Sequence, residues 1–204
     1  MIIKVCGMRD PENIRAVEAL GIDLMGFIFW PPSSRYVGEK PSYLPEHCRR
    51  VGVFVDAAPE DILAAAEDFR LDVLQLHGHE TPERVASLKE RLPAVRIFKS
   101  LAVKGPEDLA QTAAYEDVCD AFLFDTKGKL PGGNGLSFDW SVLRQYKGRL
   151  PFLLSGGIGP GDEARIRAFD VQGCIGIDLN SRFESAPGRK DVEALESFIE
   201  KLRS

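Results

Sequence analysis

The sequence predicts one parallel barrel of eight βα units, an α/β (β/α)8 fold spanning residues 1–204. Three observations carry that prediction. Short apolar runs of strand length recur eight times along the chain. Most are continuous rather than alternating, which implies burial on both faces, as in parallel strands covered by helices. Amphipathic segments separate the runs, and several open on a proline.

Taken in order, the strand-like runs are 2–6, 24–29, 51–55, 73–76, 96–101, 121–125, 152–155 and 173–179. Asp10-Pro11 predicts the first helix start. The segment 41–50 is the expected second crossover, although it holds two prolines. Ala58-Pro59, Thr81-Pro82, Gly105-Pro106 and Gly159-Pro160 predict further helix starts. Proline suits the first helical position because the N–H it lacks would be unpaired there. Val85, Leu88 and Leu92 repeat at helical spacing, as do Val192, Leu195, Ile199 and Leu202. Strand followed by helix, repeated, gives parallel strands with right-handed crossovers. An open doubly wound sheet is the rival. It usually shows a glycine fingerprint after the first strand, and Cys6-Gly7-Met8-Arg9-Asp10 is not one.

The 204-residue length suits a minimal barrel, since such folds start at roughly 200 residues. With a net charge of −5 and no long basic run, nucleic acid is not the expected partner. A small anionic substrate remains open. No run approaches membrane-spanning length, and the N-terminus enters a short strand without the apolar core of a signal peptide. A cytoplasmic setting is expected. Cys6, Cys48, Cys119 and Cys174 lack CxxC spacing and read as reduced thiols. No His/Asp/Glu cluster has metal-ligand spacing, so neither metal nor cofactor is expected.

In such a barrel, chemistry gathers where strands end and βα loops begin. That rule selects Cys6, Asp56, His77, Asp125, Ser155 and Asp178. Cys6 is either a small core hydrophobe or, as thiolate, a base able to remove a carbon-bound proton. Asp125 is followed by a long glycine-rich segment, which makes simple helix capping a poor explanation; Asp139 is the better cap. An acid at position 125 could protonate a leaving oxygen. Ser155-Gly156-Gly157-Ile158-Gly159-Pro160 is either a tight turn or a phosphate cradle, the loops after strands seven and eight being the usual phosphate site. Arg35 is a solvated loop residue or a fork for carboxylate or phosphate. His77 faces a ligand or is a satisfied structural histidine.

Several segments together resemble the phosphoribosylanthranilate isomerase family of tryptophan biosynthesis. They are Lys4-Val5-Cys6-Gly7, Gly26-Phe27-Ile28-Phe29, Ser34-Arg35-Tyr36-Val37, Val51-Gly52-Val53-Phe54-Val55 and Gln75-Leu76-His77-Gly78. Asp125, Pro131-Gly132-Gly133-Asn134-Gly135, Phe138-Asp139-Trp140, Ser155-Gly156-Gly157 and the run from Glu184 to Asp191 continue it. The resemblance implies a metal-free Amadori rearrangement of N-(5-phosphoribosyl)anthranilate to 1-(2-carboxyphenylamino)-1-deoxyribulose 5-phosphate. It implies Cys6 as general base and Asp125 as general acid. Arg35 would meet the anthranilate end and Asp178 the anthranilate nitrogen, with His77 also lining the substrate. Gly156, Gly157, Asn180 and Ser181 would hold the phosphate. The partner would be a small phosphosugar, the protein a monomer or homodimer.

One departure concerns the turn after strand eight, where Arg182 stands in place of the family's usual glycine. Trp30 is a second, larger than expected near the anthranilate pocket. Two other readings are a histidine-pathway aminoribosyl-phosphate isomerase, which has aspartate where Cys6 stands, and a phosphosugar-binding barrel without turnover.

Overall fold

Ile2–Cys6 forms β1, and its two neighbours close a ring: β2 (Leu24–Ile28) on one side and β8 (Cys174–Leu179) on the other. Between them run β3 (Arg49–Phe54), β4 (Val73–Leu76), β5 (Arg96–Val103), β6 (Ala121–Thr126) and β7 (Phe152–Leu154), each parallel to its sequence neighbours. The closed eight-stranded barrel is therefore observed, in a computed structural model that describes residues 1–126 and 139–204. The glycine-rich run 131–135 and Phe138 lie outside the described residues.

Two apolar layers explain the continuous runs. Leu24, Val51, Val53, Val73, Phe98, Ala121, Leu123 and Leu153 fill the barrel interior below Cys6. Alternate residues of the same strands, among them Val5, Phe27, Leu74 and Phe122, pack outward against the helices. The strands are thus mainly apolar on both faces, with buried polar exceptions such as Lys4, Gln75 and Lys99.

The first four proline signals each mark a helix start. α1 (Pro11–Glu18) is capped by Asp10, which accepts from the Asn13 N–H at 2.8 Å. α2 (Pro59–Phe69) and α3 (Pro82–Arg91) also open on their prolines. Pro106–Ala114 is a 3-10 helix rather than an α-helix. At Gly159-Pro160 the expectation fails: α4 (Glu163–Arg167) starts after Asp162. Gly161, at φ +96, interrupts a helix that would begin at Pro160, and the Gly159 N–H donates to Asp162 Oδ2 at 2.9 Å instead.

The expected helix over 41–50 is also absent. Pro41 and Pro45 each remove a backbone donor, and the segment is anchored from outside by Glu18, which accepts from the Tyr43 hydroxyl and the Glu46 N–H. Residues 49 and 50 already belong to β3. Asp139 caps the 3-10 helix Trp140–Gln145, as expected. After β8, a 3-10 turn (Ser181–Phe183) leads into a hairpin of β9 (Glu184–Ala186) and β10 (Arg189–Lys190), and α5 (Val192–Arg203) closes the chain.

Candidate active site

Buried charge marks one mouth of the barrel. Lys4 lies opposite Asp178 in the β1–β8 register, and its Nζ is 2.8 Å from Asp178 Oδ1. The lysine is fully enclosed. Burial works against its charge, but Asp178 and Cys6 together, through charge and hydrogen bonds, outweigh that and hold its pKa above the ordinary value. Burial likewise pushes Asp178 up, against the pull of Lys4. The two directions favour opposite protonation states, and the charged pair is the better reading: a neutral carboxyl would leave the ammonium unpaired inside the barrel.

Cys6 stands one inward position closer to the mouth than Lys4 and is buried. Burial raises its pKa; Lys4, through charge and a hydrogen bond, and Lys190, through charge, draw it down, while Asp178 adds to the rise. The net direction is upward, so the resting group is a thiol. Gly26 on β2 makes room for it. A Cβ at that position would come within 2.7 Å of Cys6 Sγ and 3.1 Å of its Cα.

Asp125, next to last in β6, is buried, with His77 Nε2 3.4 Å from Oδ2 and the Ser155 hydroxyl 3.4 Å from Oδ1. Gln75 Nε2 lies 3.0 Å from His77 Nδ1. In the tautomer where Nδ1 accepts from that amide, the ring proton sits on Nε2 and faces Asp125. Asp178 feels the charges of both Asp125 and His77. Cys6, Lys4, Asp178, Asp125 and His77 therefore form one continuous set.

On the other side of Cys6, the space beside Gly7 is filled by Arg35 and Asn180: a Cβ there would lie 2.8 Å from Arg35 Cδ and 3.0 Å from Asn180 Oδ1. Arg35 makes a bidentate pair with Glu184, Nε to Oε1 at 2.9 Å and Nη2 to Oε2 at 2.7 Å. Lys190 joins them, its Nζ 2.6 Å from Glu184 Oε1 and 2.7 Å from Asn180 Oδ1. Burial works against the Glu184 charge, but these two cations hold its pKa below the ordinary carboxylate value.

Gly156 and Gly157 follow β7 at φ +89 and +69, a conformation that favours glycine. Asn180 spends its side-chain oxygen on Lys190, and Ser181 opens the 3-10 turn. Arg182 leans over Gly159 in the same loop region, with Cβ and Nε each 2.9 Å from where a Gly159 Cβ would be. Trp30 is half-buried in the loop after β2.

Of the strand-end candidates, Asp56 does not join the set. Its Oδ1 accepts from the His79 N–H at 2.6 Å, a local loop contact. Lys4, Glu184 and Lys190 are the residues that strand-end reasoning missed. Lys4 carried a signal, a lone charge in a strand apolar on both faces, which has to be paired. Glu184 and Lys190 lie in a run that carries the family resemblance, but nothing in it points to Arg35, because the hairpin that brings them together is a long-range contact.

The family model described as N-(5'phosphoribosyl)anthranilate (PRA) isomerase matches residues 3–201. The chain belongs to this family. Of its relatives, the N-(5'-phosphoribosyl)anthranilate isomerase of Phocaeicola vulgatus is 50% identical over 203 residues, covering 100% of this chain and 98% of that protein. A monomeric form of the dimeric phosphoribosylanthranilate isomerase from Thermotoga maritima superposes with a TM-score of 0.83 at 32% identity, covering 100% and 99% of the two chains. A family structure in complex with reduced 1-(o-carboxyphenylamino)-1-deoxyribulose 5-phosphate gives 0.80 at 30% identity, with 100% and 99% covered. The activity is accordingly that of a phosphoribosylanthranilate isomerase, the Amadori rearrangement in tryptophan biosynthesis.

Proposed function

We propose that Cys6 and Asp125 divide the proton transfers of this isomerisation, Asp125 as general acid and Cys6 as general base. Asp125, as the carboxylic acid, gives its proton to the ribose ring oxygen. The C1–O bond breaks as the anthranilate nitrogen lone pair forms a C1=N iminium. The resulting carboxylate is received by His77 Nε2 and the Ser155 hydroxyl, both already beside it. Cys6, as thiolate, then takes the proton from C2. The C–H electron pair becomes the C1=C2 bond and the iminium nitrogen is neutralised. The enolamine becomes the product when C1 takes up a proton and the C2 hydroxyl loses one.

The reading rests above all on one observation: Cys6, Lys4, Asp178, Asp125 and His77 meet at a single mouth of the barrel. Asp178 is assigned to the anthranilate nitrogen and Arg35 to the anthranilate carboxylate, with which Glu184 competes in the free protein. Gly156 and Gly157 hold the phosphate, assisted by Asn180 and Ser181. The partner is a small phosphosugar, and residues 1–204 act as one barrel domain, as a monomer or homodimer. A cytoplasmic setting accords with four free cysteines; among the described residues, no helix is long and apolar enough to cross a membrane.

Arg35→Ala tests the placement. It weakens binding of the substrate and of a carboxylate-bearing product analogue, while inhibition by inorganic phosphate stays near wild type. Equal weakening of both would place Arg35 at the phosphate instead.

A further inference from the structure

Two cations share one carboxylate beside Cys6. Arg35 and Lys190 both bind Glu184, at 2.7 and 2.6 Å. The Lys190 side chain is fully enclosed and that of Glu184 is 5% exposed. Asn180 is neutral, and Lys4 is already matched by Asp178. With all three groups ionised, Arg35–Glu184–Lys190 carries one positive charge in excess; burial pulls the Lys190 pKa below its ordinary value, against the attraction of Glu184. Buried charges are normally paired, so an anion belongs there. The backbone fixes Lys190 firmly for this purpose: its N–H donates to Asn13 Oδ1 at 2.7 Å and its carbonyl accepts from Asn13 Nδ2 at 2.9 Å, tying the hairpin to α1.

We propose that Lys190 is a positioning residue of the base, holding the counter-charge that the Cys6 thiolate needs when it forms. This rests on the assignment of Cys6 as base. Asn180 Oδ1, the acceptor of Lys190, is the same atom that crowds Gly7, the residue after Cys6. The charged groups facing Cys6 are Lys4 from β1, Asp178 from β8 and Lys190 from β10; those facing Lys190 are Glu184, Arg35 and Cys6 itself. Lys4 has Asp178 to itself, whereas Lys190 shares the single carboxylate of Glu184 with Arg35, so the charge of Lys190 is only partly cancelled and adds to that of Lys4 at Cys6. Its removal disfavours the thiolate, so the pH at which Cys6 ionises rises.

The test compares Lys190→Gln with Lys190→Arg by two readouts in each protein. One is the acid limb of kcat/KM against pH; the other is the pH dependence of Cys6 alkylation by iodoacetamide, followed by peptide mass mapping. Lys190→Gln is expected to shift both upward by about one unit, in line with loss of a nearby opposite charge. Lys190→Arg restores both. Should the alkylation profile shift while the kcat/KM limb does not, the counter-charge role stands and Cys6 is not the base. If neither profile moves in Lys190→Gln, the proposal is overturned, whatever happens to Tm. Should Lys190→Gln fail to fold, Glu184→Gln supplies the reverse test: freeing both cations lowers the Cys6 alkylation pH, and an unchanged value overturns the proposal.

Discussion

Replacing Lys4 with methionine isolates the buried pair on which the barrel interior depends. At 2.8 Å, the attraction between unit charges is about 6 kcal/mol at an effective dielectric constant of ~20. Most of it is spent offsetting desolvation of two enclosed groups, so the intact pair adds little net stability. Removing one partner is different, because Asp178 keeps its desolvation cost and loses its compensation. We expect Lys4→Met to destabilise the fold by roughly 3–5 kcal/mol, a fall in Tm of about 6–20 °C for a chain of this size. The deficit depends on pH. Burial raises the folded-state pKa of Asp178, and loss of Lys4 raises it further. The folded variant then holds a proton that the unfolded chain releases, so stability falls as pH rises from the ordinary carboxylate range through that raised value. The loss is therefore larger at pH 8 than at pH 5, and shrinks by at most ~1.4 kcal/mol per unit on acidification. Thermal melts followed by circular dichroism at both pH values measure it. The double variant Lys4→Met/Asp178→Leu recovers most of the stability but not activity. A single variant within about 1 kcal/mol of wild type, or a double variant no more stable than the single, refutes the reasoning.

Two other predictions use different features. Gly26→Ala forces a methyl to 2.7 Å from Cys6 Sγ, so kcat should fall at least ~10-fold through displacement of the base; steady-state kinetics on the folded variant check this, and wild-type kcat would show that Cys6 can move without loss. Because burial raises the Cys6 pKa above the ordinary thiol value of ~8.5, kcat/KM should climb with pH from neutrality into the alkaline range. A profile flat between about pH 6 and 9 would remove the thiolate from the mechanism.

The barrel was legible in the chain because its evidence is local. β1 and β4 end where their apolar runs end, at Cys6 and Leu76, and α1, α2 and α3 begin at their prolines. The segment 41–50 misled because its anchors come from Glu18, more than twenty residues away. Gly159-Pro160 misled because Gly161 takes a left-handed conformation just after it. At the candidate site, strand-end position alone selected Cys6, Asp125, His77, Ser155 and Asp178, all of which the barrel gathers, and also Asp56, which it does not. What strand-end reasoning left out is the electrostatics. Lys4 is a charge whose partner sits 174 residues away, and the Arg35–Glu184–Lys190 group joins two loops that nothing in the linear order connects.

Single-turnover kinetics on Cys6→Ala and Asp125→Asn, alongside their affinity for the reduced product analogue, test the division of labour most directly. Each substitution should lower the isomerisation rate at least ~100-fold while analogue affinity changes little. Isomerisation near the wild-type rate in either variant, or a loss accounted for by analogue affinity, would contradict the assignment of Cys6 as base and Asp125 as acid.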